Sequence, residues 1–236
     1  SRPGSSSSPF PSASFPRGAG GPDASMSAEP PPSEAGPILP IPFCIFAKPP
    51  RPGRAKTRLA AGIGAEAACR LATCFLSDTL RLALGEARLL PVLATTDDGM
   101  PEGAFPGDAF PEGVAPGSVT RWLQPEGDLG ARIEGIVRQG LESAPAVICA
   151  GADSPGRPPS RVREVLAALD AGAEAVLGPA EDGGYDLLAL RRCEPGLLAG
   201  LPWSQPDTFE ATLSRLRERG LRVDVLSTWW DVDEPE

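Results

Sequence analysis

"IPFCIFAKPPRPGRAKTRLA", residues 41–60, decides how the rest of the chain reads. Its first seven residues are continuously apolar rather than alternating, the pattern of a strand covered on both faces, as in a parallel sheet. The remainder places Lys48, Arg51, Arg54, Lys56 and Arg58 within eleven positions, with no acid among them, in a chain of formal net charge −9. Lys48 and Lys56 are also the only lysines, beside twenty arginines. A cationic, Pro/Gly-rich loop between a strand and a helix suits an anion. Lysine supplies a compact point charge, arginine a bidentate fork, and the helix start its free amides. A solvated basic loop is the alternative. The stretch is not a Walker A loop, because Lys56-Thr57 follows Ala55 where that motif requires glycine.

Outward from this stretch, apolar runs alternate with amphipathic ones. Residues 65–84 carry Ala68, Leu71, Ala72, Phe75, Leu76, Thr79 and Leu82 at helical spacing, and "LLPVLATT" (89–96) predicts a second buried strand. Residues 97–118 mix Gly, Pro and acids without a period, which predicts a long surface excursion. A short strand is expected in 118–124 and a helix capped by Asp128 in 127–143. Strand and loop follow in 145–155, a helix in 159–172, and two strands around a glycine turn in 173–191. A helix closed by Gly220 (205–220), then a last strand and an acidic end, complete the chain. This alternation predicts an α/β three-layer sandwich with a mostly parallel central sheet. Residues 1–37, mostly Ser, Pro, Gly and Ala, have little to bury and are expected to be a disordered tail, leaving 38–236 as a single domain.

Composition removes several chemistries. With no histidine, Ser-His-Asp and Cys-His catalysis, His-ligated zinc and a histidine base are excluded, so acid-base or metal work falls to carboxylates. The five cysteines (44, 69, 74, 149 and 193) lack Cys-x-x-Cys spacing, against a disulfide framework or a structural zinc site and in favour of a reducing, cytoplasmic setting. No run of eighteen apolar residues exists, so no membrane span is expected. The acidic balance disfavours nucleic acid, which needs a broad basic surface. The 1–37 tail lacks a seven-residue apolar core and makes a poor secretory signal; its Ser-rich, Arg-containing first stretch faintly resembles an organelle transit peptide, and Met26 is an alternative start, with residues 1–25 then non-native.

In a parallel sheet, ligands sit outside the carboxyl ends of the strands. There "VICAGADSP" ends on Asp153, a carboxylate placed for Mg²⁺ or Mn²⁺, or simply for a turn before Ser-Pro. "DVDEP" sets Asp231 and Asp233 two apart, on one side of an extended segment, behind Trp229-Trp230; an exposed acidic tail is the other reading. "GPAEDGGYDLL" offers Glu181 and Asp182 as base or sugar-hydroxyl anchor beside Gly183-Gly184, which permit a tight turn and close approach to a ligand. As structure alone it is a hairpin turn. "QPEGDLGARI" groups Gln124, Asp128, Gly130 and Arg132 at a helix start, where capping explains only Asp128.

Taken in order, "FAKPPRPGRAKTRL", "QPEGDLGARI", "GADSP", "GPAEDGGYDLLAL", "LPWSQPDTFEATLSRL" and "WWDVDEP" resemble a bacterial family of glycosyltransferase-A-type proteins, some linked to arsenosugar biosynthesis. The resemblance runs from Phe43 to the last residue. It implies a nucleotide-diphospho-sugar transferase-like fold, shared with molybdopterin and phospholactate guanylyltransferases, whose signature for the base is not clearly present here. By similarity, Lys56 and Arg58 meet phosphates, and Asp153, Asp231 and Asp233 hold the metal. The expected activity is metal-dependent glycosyl transfer from a nucleotide-sugar to a small-molecule acceptor. Lys48, Arg51, Lys56, Arg58, Gln124, Gly130, Arg132, Gly183 and Gly184 are expected to bind substrate, and Asp182 and Lys56 to be catalytic. The alternatives are transfer of a nucleoside monophosphate from a triphosphate to a phosphorylated acceptor, with pyrophosphate released, and a non-catalytic nucleotide-binding module.

Overall fold

Strand β1 (Ile41–Phe46) lies inside the sheet, with a neighbour on each side and both of its faces apolar. Ile41, Phe43 and Ile45 pack into one core and Cys44 into another. The structure, a computed structural model, describes residues 39–96, 105–230 and 232. The expected tail, part of the expected excursion, and Asp231 and Asp233 lie outside them.

Seven strands form one sheet in the order β3-β2-β1-β4-β6-β5-β7: β2 (Leu89–Thr95), β3 (Thr120–Leu123), β4 (Val147–Gly151), β5 (Ala175–Pro179), β6 (Tyr185–Leu190) and β7 (Val223–Val225) surround β1. Only β6 is antiparallel to its neighbours. Helices α2 (Ala65–Leu84) and α4 (Pro159–Asp170) cover one face; α3 (Leu129–Leu141) and α5 (Thr208–Glu218) cover the other. The three-layer expectation therefore holds. Its physical basis is legible in α2, whose Ala68, Phe75, Leu76, Leu80 and Ala83 bury one stripe, and in α3, where the Asp128 carboxylate accepts from the Ala131 amide at 2.9 Å.

Two local readings are corrected. A short helix, α1 (Thr57–Ile63), begins inside the cationic stretch read as loop; it buries only Leu59, so it has no apolar stripe to betray it. The described part of the expected excursion is not all surface. Phe105, Ala109 and Phe110 are buried against the α2 side, with the two rings edge-to-face at 6.4 Å. Two phenylalanines five residues apart follow neither a helical nor a strand period, so the pattern hides the burial. Among the described residues no helix is long and apolar enough to cross a membrane.

The strand directions matter most for the site. β1, β4 and β5 run parallel, so the segments that follow them, 47–56, 152–158 and 180–184, emerge at one end of the sheet. After β7 the chain continues beside β5: Leu226 donates to the Leu177 carbonyl, Trp229 to that of Pro179, and Val232 to that of Asp153.

Candidate functional site

Lys56 stands at the N-cap of α1 with φ 45° and ψ 55°, a left-handed conformation that costs an L-residue about 1–2 kcal/mol. Its surroundings hold it there. Its ammonium, 12% exposed, donates to Oδ2 of Asp153 at 3.1 Å, across 97 positions of sequence. Asp153 lies two residues beyond β4 and its carboxylate is 45% exposed. A Cβ on Gly151 would stand 2.6 Å from Asp153 Oδ1, so glycine there lets the carboxylate fold back over the strand end. The Val232 amide donates to the Asp153 carbonyl at 3.2 Å, which brings the C-terminal segment to the same place.

Two cavities meet at this point, and Phe46 and Asp153 line both. One, of about 280 Å³, has Lys48, Arg54 and Lys56 on its wall, with Phe75 and Leu76 of α2 behind. The other, of about 250 Å³, is walled by Leu129, Ile133, Tyr185 and Trp203, with Asp182, Ser204 and Gln205 also lining it. The Tyr185 and Trp203 rings meet edge-on at 6.2 Å. Burial raises the Tyr185 phenol above its ordinary range, so it stays protonated.

The turn between β5 and β6 is built by its own backbone. Asp182 Oδ1 accepts from the Gly184 amide at 2.8 Å, and the Ala180 amide donates to the Gly184 carbonyl at 3.0 Å. Gly183 (φ 86°) sits so close to the Pro206 carbonyl that a Cβ would overlap it, and its own carbonyl accepts from the Phe209 amide at 2.9 Å. The need for glycine at 183 is thus contact with the 202–208 segment. Gly184 and Asp182 line the second cavity.

Other candidates fall elsewhere. Gln124 donates through Nε2 to the Ala94 carbonyl at 2.7 Å and so closes the end of β2. Gly130 lets α3 approach the Leu198 carbonyl and the Trp203 indole, either of which a Cβ would strike. Arg132 donates to the Gly127 carbonyl at 3.0 Å. Arg51 caps a turn with its carbonyl, and Arg58 is exposed on α1; none of these five lines the two cavities.

One cluster went unseen in the sequence. Asp186 on β6, fully buried, accepts from Arg157 Nε at 2.9 Å and from Arg161 Nη2 at 2.8 Å and Nε at 3.2 Å. Arg161 also donates to the Ser227 carbonyl at 2.7 Å and lies over the Trp229 ring, 5.6 Å from its centroid. The cluster pins the loop after Asp153 and the segment leading to Val232 onto one strand. The acid stood in "GGYDLL", where an aspartate inside an apolar run is the available signal of a buried partner.

Divalent cations of the Mg²⁺ or Mn²⁺ type take hard oxygen ligands. Asp153 offers such a ligand, and the space Gly151 leaves beside Oδ1 fits that role while Oδ2 is held by Lys56. Among the described residues no group of three or more acids or cysteines could hold a metal ion by itself.

Cys149 also lines the second cavity. Burial pushes the Cys44 and Cys149 thiols far above their ordinary range; burial, with Glu134 adding to it, pushes Cys193 up to about 12. Alkylation needs the thiolate. Iodoacetamide at pH 8 is therefore expected to modify exposed Cys74 well before Cys44 and Cys149, as read by peptide mass spectrometry. Equal labelling of Cys149 and Cys74 would mean that the cavity floor opens to solvent.

A family profile described as "Uncharacterized protein conserved in bacteria (DUF2064)" matches residues 83–205, just over half of the chain. No curated protein sequence matches it. Among solved structures, a candidate nucleotide-diphospho-sugar transferase from Desulfovibrio desulfuricans G20 is similar at 28% identity and TM-score 0.72, over 84% of each chain. CMP:2-keto-3-deoxy-manno-octonic acid synthetase, solved with CTP, is similar at 14% identity and TM-score 0.51, over 83% of this chain and 94% of that one. The second likeness is one of fold. The fold, a seven-stranded and mostly parallel sheet between helices, is nucleotide-diphospho-sugar transferase-like.

Proposed function

We propose, for a chain that belongs to this bacterial DUF2064 family, a metal-dependent transferase that takes a nucleotide-diphospho-sugar and passes the sugar to a small acceptor. One observation carries the reading: the Lys56–Asp153 contact at 3.1 Å, at the meeting point of two cavities of opposite character. The 28%-identical D. desulfuricans structure supports a sugar donor, as does the resemblance to glycosyltransferase-A-type proteins linked to arsenosugar biosynthesis.

Lys48, Arg54 and Lys56 bind the donor diphosphate and stabilise the charge that develops as it leaves. Arg51 and Arg58, at the rim of the same loop, add to the field that draws the anion in. Asp153, with Asp231 and Asp233 on either side of Val232 in the sequence, would hold Mg²⁺ or Mn²⁺, which supplies neutralisation of the leaving diphosphate. Asp182 accepts the acceptor proton or anchors a sugar hydroxyl. Gln124, Gly130 and Arg132 shape the end of β2 and the start of α3.

Thermal shift with a panel of nucleotide-sugars and nucleoside triphosphates, with and without Mn²⁺, tests the reading, since a ligand that binds only the folded state raises the melting temperature. A rise of several degrees with at least one nucleotide-sugar, larger with Mn²⁺, is expected. Pyrophosphate released from a triphosphate in the presence of an acceptor would replace the glycosyl reading with nucleotidyl transfer. No response to any nucleotide would remove both.

A further inference from the structure

We infer, resting on the transferase reading, that the cavity walled by Tyr185 and Trp203 takes an uncharged hydroxyl compound, a small sugar or polyol, and turns away its phosphorylated counterpart. The two cavities differ in charge. The first carries Lys48, Arg54 and Lys56 against one acid. Among the described residues lining the second there is no lysine or arginine, and there are three acids.

Two of those acids are already matched. Asp186 is held by Arg157 and Arg161, and Asp153 by Lys56. Arg157 is not among the residues lining this cavity, and its buried guanidinium is turned to Asp186. Asp182, exposed, accepts from the Gly184 amide and has no lysine or arginine partner among the described residues. A phosphate entering here would meet a carboxylate with no cation beside it, and the cost of an unpaired anion in a partly buried site falls on the bound state. A sugar or polyol meets what it needs: the aromatic faces of Tyr185 and Trp203 for its C–H surface, and Ser204, Gln205 and Asp182 for its hydroxyls.

The chemistry follows the same division. The acceptor oxygen forms a bond to the sugar carbon of the donor, and the bond from that carbon to the diphosphate breaks. Its electron pair leaves on the nucleoside diphosphate held by the cationic loop, and the hydroxyl proton passes to the Asp182 carboxylate.

The test is saturation-transfer NMR with matched pairs: glucose and glucose 6-phosphate, glycerol and glycerol 3-phosphate. In the full chain the neutral probes are expected to receive saturation, and Trp203→Ala is expected to remove at least half of it. The phosphates are expected to bind only through the loop, insensitive to Trp203→Ala and lost in the Lys48→Ala/Lys56→Ala double variant. A phosphate signal that depends on Trp203, or no neutral signal that does, overturns the inference. Should Trp203→Ala fail to fold, the exposed Gln205→Arg change serves in its place. A guanidinium at the rim should shift preference toward the phosphate member by roughly tenfold or more, and an unchanged preference likewise overturns the inference. A thermal shift with the panel of nucleotide-sugars in Mn²⁺, without acceptor, reports on the transferase reading separately. Its absence beside intact neutral binding sinks that reading alone, and its presence beside a phosphate preference sinks this inference alone.

Discussion

Asp153→Asn is expected to lower metal-dependent donor turnover by on the order of 100-fold or more while leaving the fold intact. The amide keeps the volume and can still accept from Lys56, but it is a poor ligand for a hard divalent cation, so the change isolates the charge. Initial rates across a Mn²⁺ series check it. Wild-type rates at every concentration would remove Asp153 from the metal site. Lys56→Gly is the matched experiment on the cation. Glycine relieves the left-handed backbone at φ 45°, offsetting the lost pair with Asp153, so stability should change by no more than about 1 kcal/mol while turnover falls at least as far. A residue kept in a strained conformation at no gain in stability is kept for another reason. If Lys56→Gly retained full turnover, the strain would have no link to the chemistry.

Asp186→Ala is expected to be the most destabilising single change at the site, by about 3–5 kcal/mol, because it leaves the buried Arg157 and Arg161 guanidiniums facing each other without their carboxylate. For a folded unit of this size that is a fall of roughly 6–20 °C in melting temperature. Arg157→Ala should cost less, since the Arg161–Asp186 pair that remains is neutral. The order of the two variants, measured by thermal or urea unfolding, is the decisive reading. Equal losses would mean that packing rather than charge governs the cluster. Because Arg157 follows Asp153 by four residues and Arg161 holds the Ser227 carbonyl, a weakened cluster should also loosen the elements that carry the candidate metal ligands.

Much of the fold is legible because apolar runs and amphipathic periods are local. The β1 run, the α2 stripe and the Asp128 cap each identify an element from ten or twenty neighbouring residues. The readings that needed correction lie where burial has no period: α1, with Leu59 its one buried residue, and the stretch holding Phe105 and Phe110. The same holds for the site. Lys48, Lys56, Asp153 and Asp182 stood out as charges at strand ends, and each lines one or both cavities. Gln124, Gly130 and Arg132 stood out by their grouping and have backbone or packing partners instead. Trp203 gave no such signal, since an aromatic in a loop acquires meaning only from what packs on it, and the signal of Asp186, an acid inside an apolar run, told of a buried partner without naming it.

By itself the sequence determined that the chain is a three-layer α/β unit with a mostly parallel sheet, and that without histidine its acid-base work rests on carboxylates. Only the tertiary structure decided that Lys56 meets an aspartate 97 positions away, that Asp186 is shared by two buried arginines, and that one cavity is cationic while its neighbour is not. The reason is physical. Periodicity depends on near neighbours in the chain, whereas these pairings depend on the order in which β1, β4, β6 and β5 lie side by side. That order is set by packing of the whole sheet between its helices.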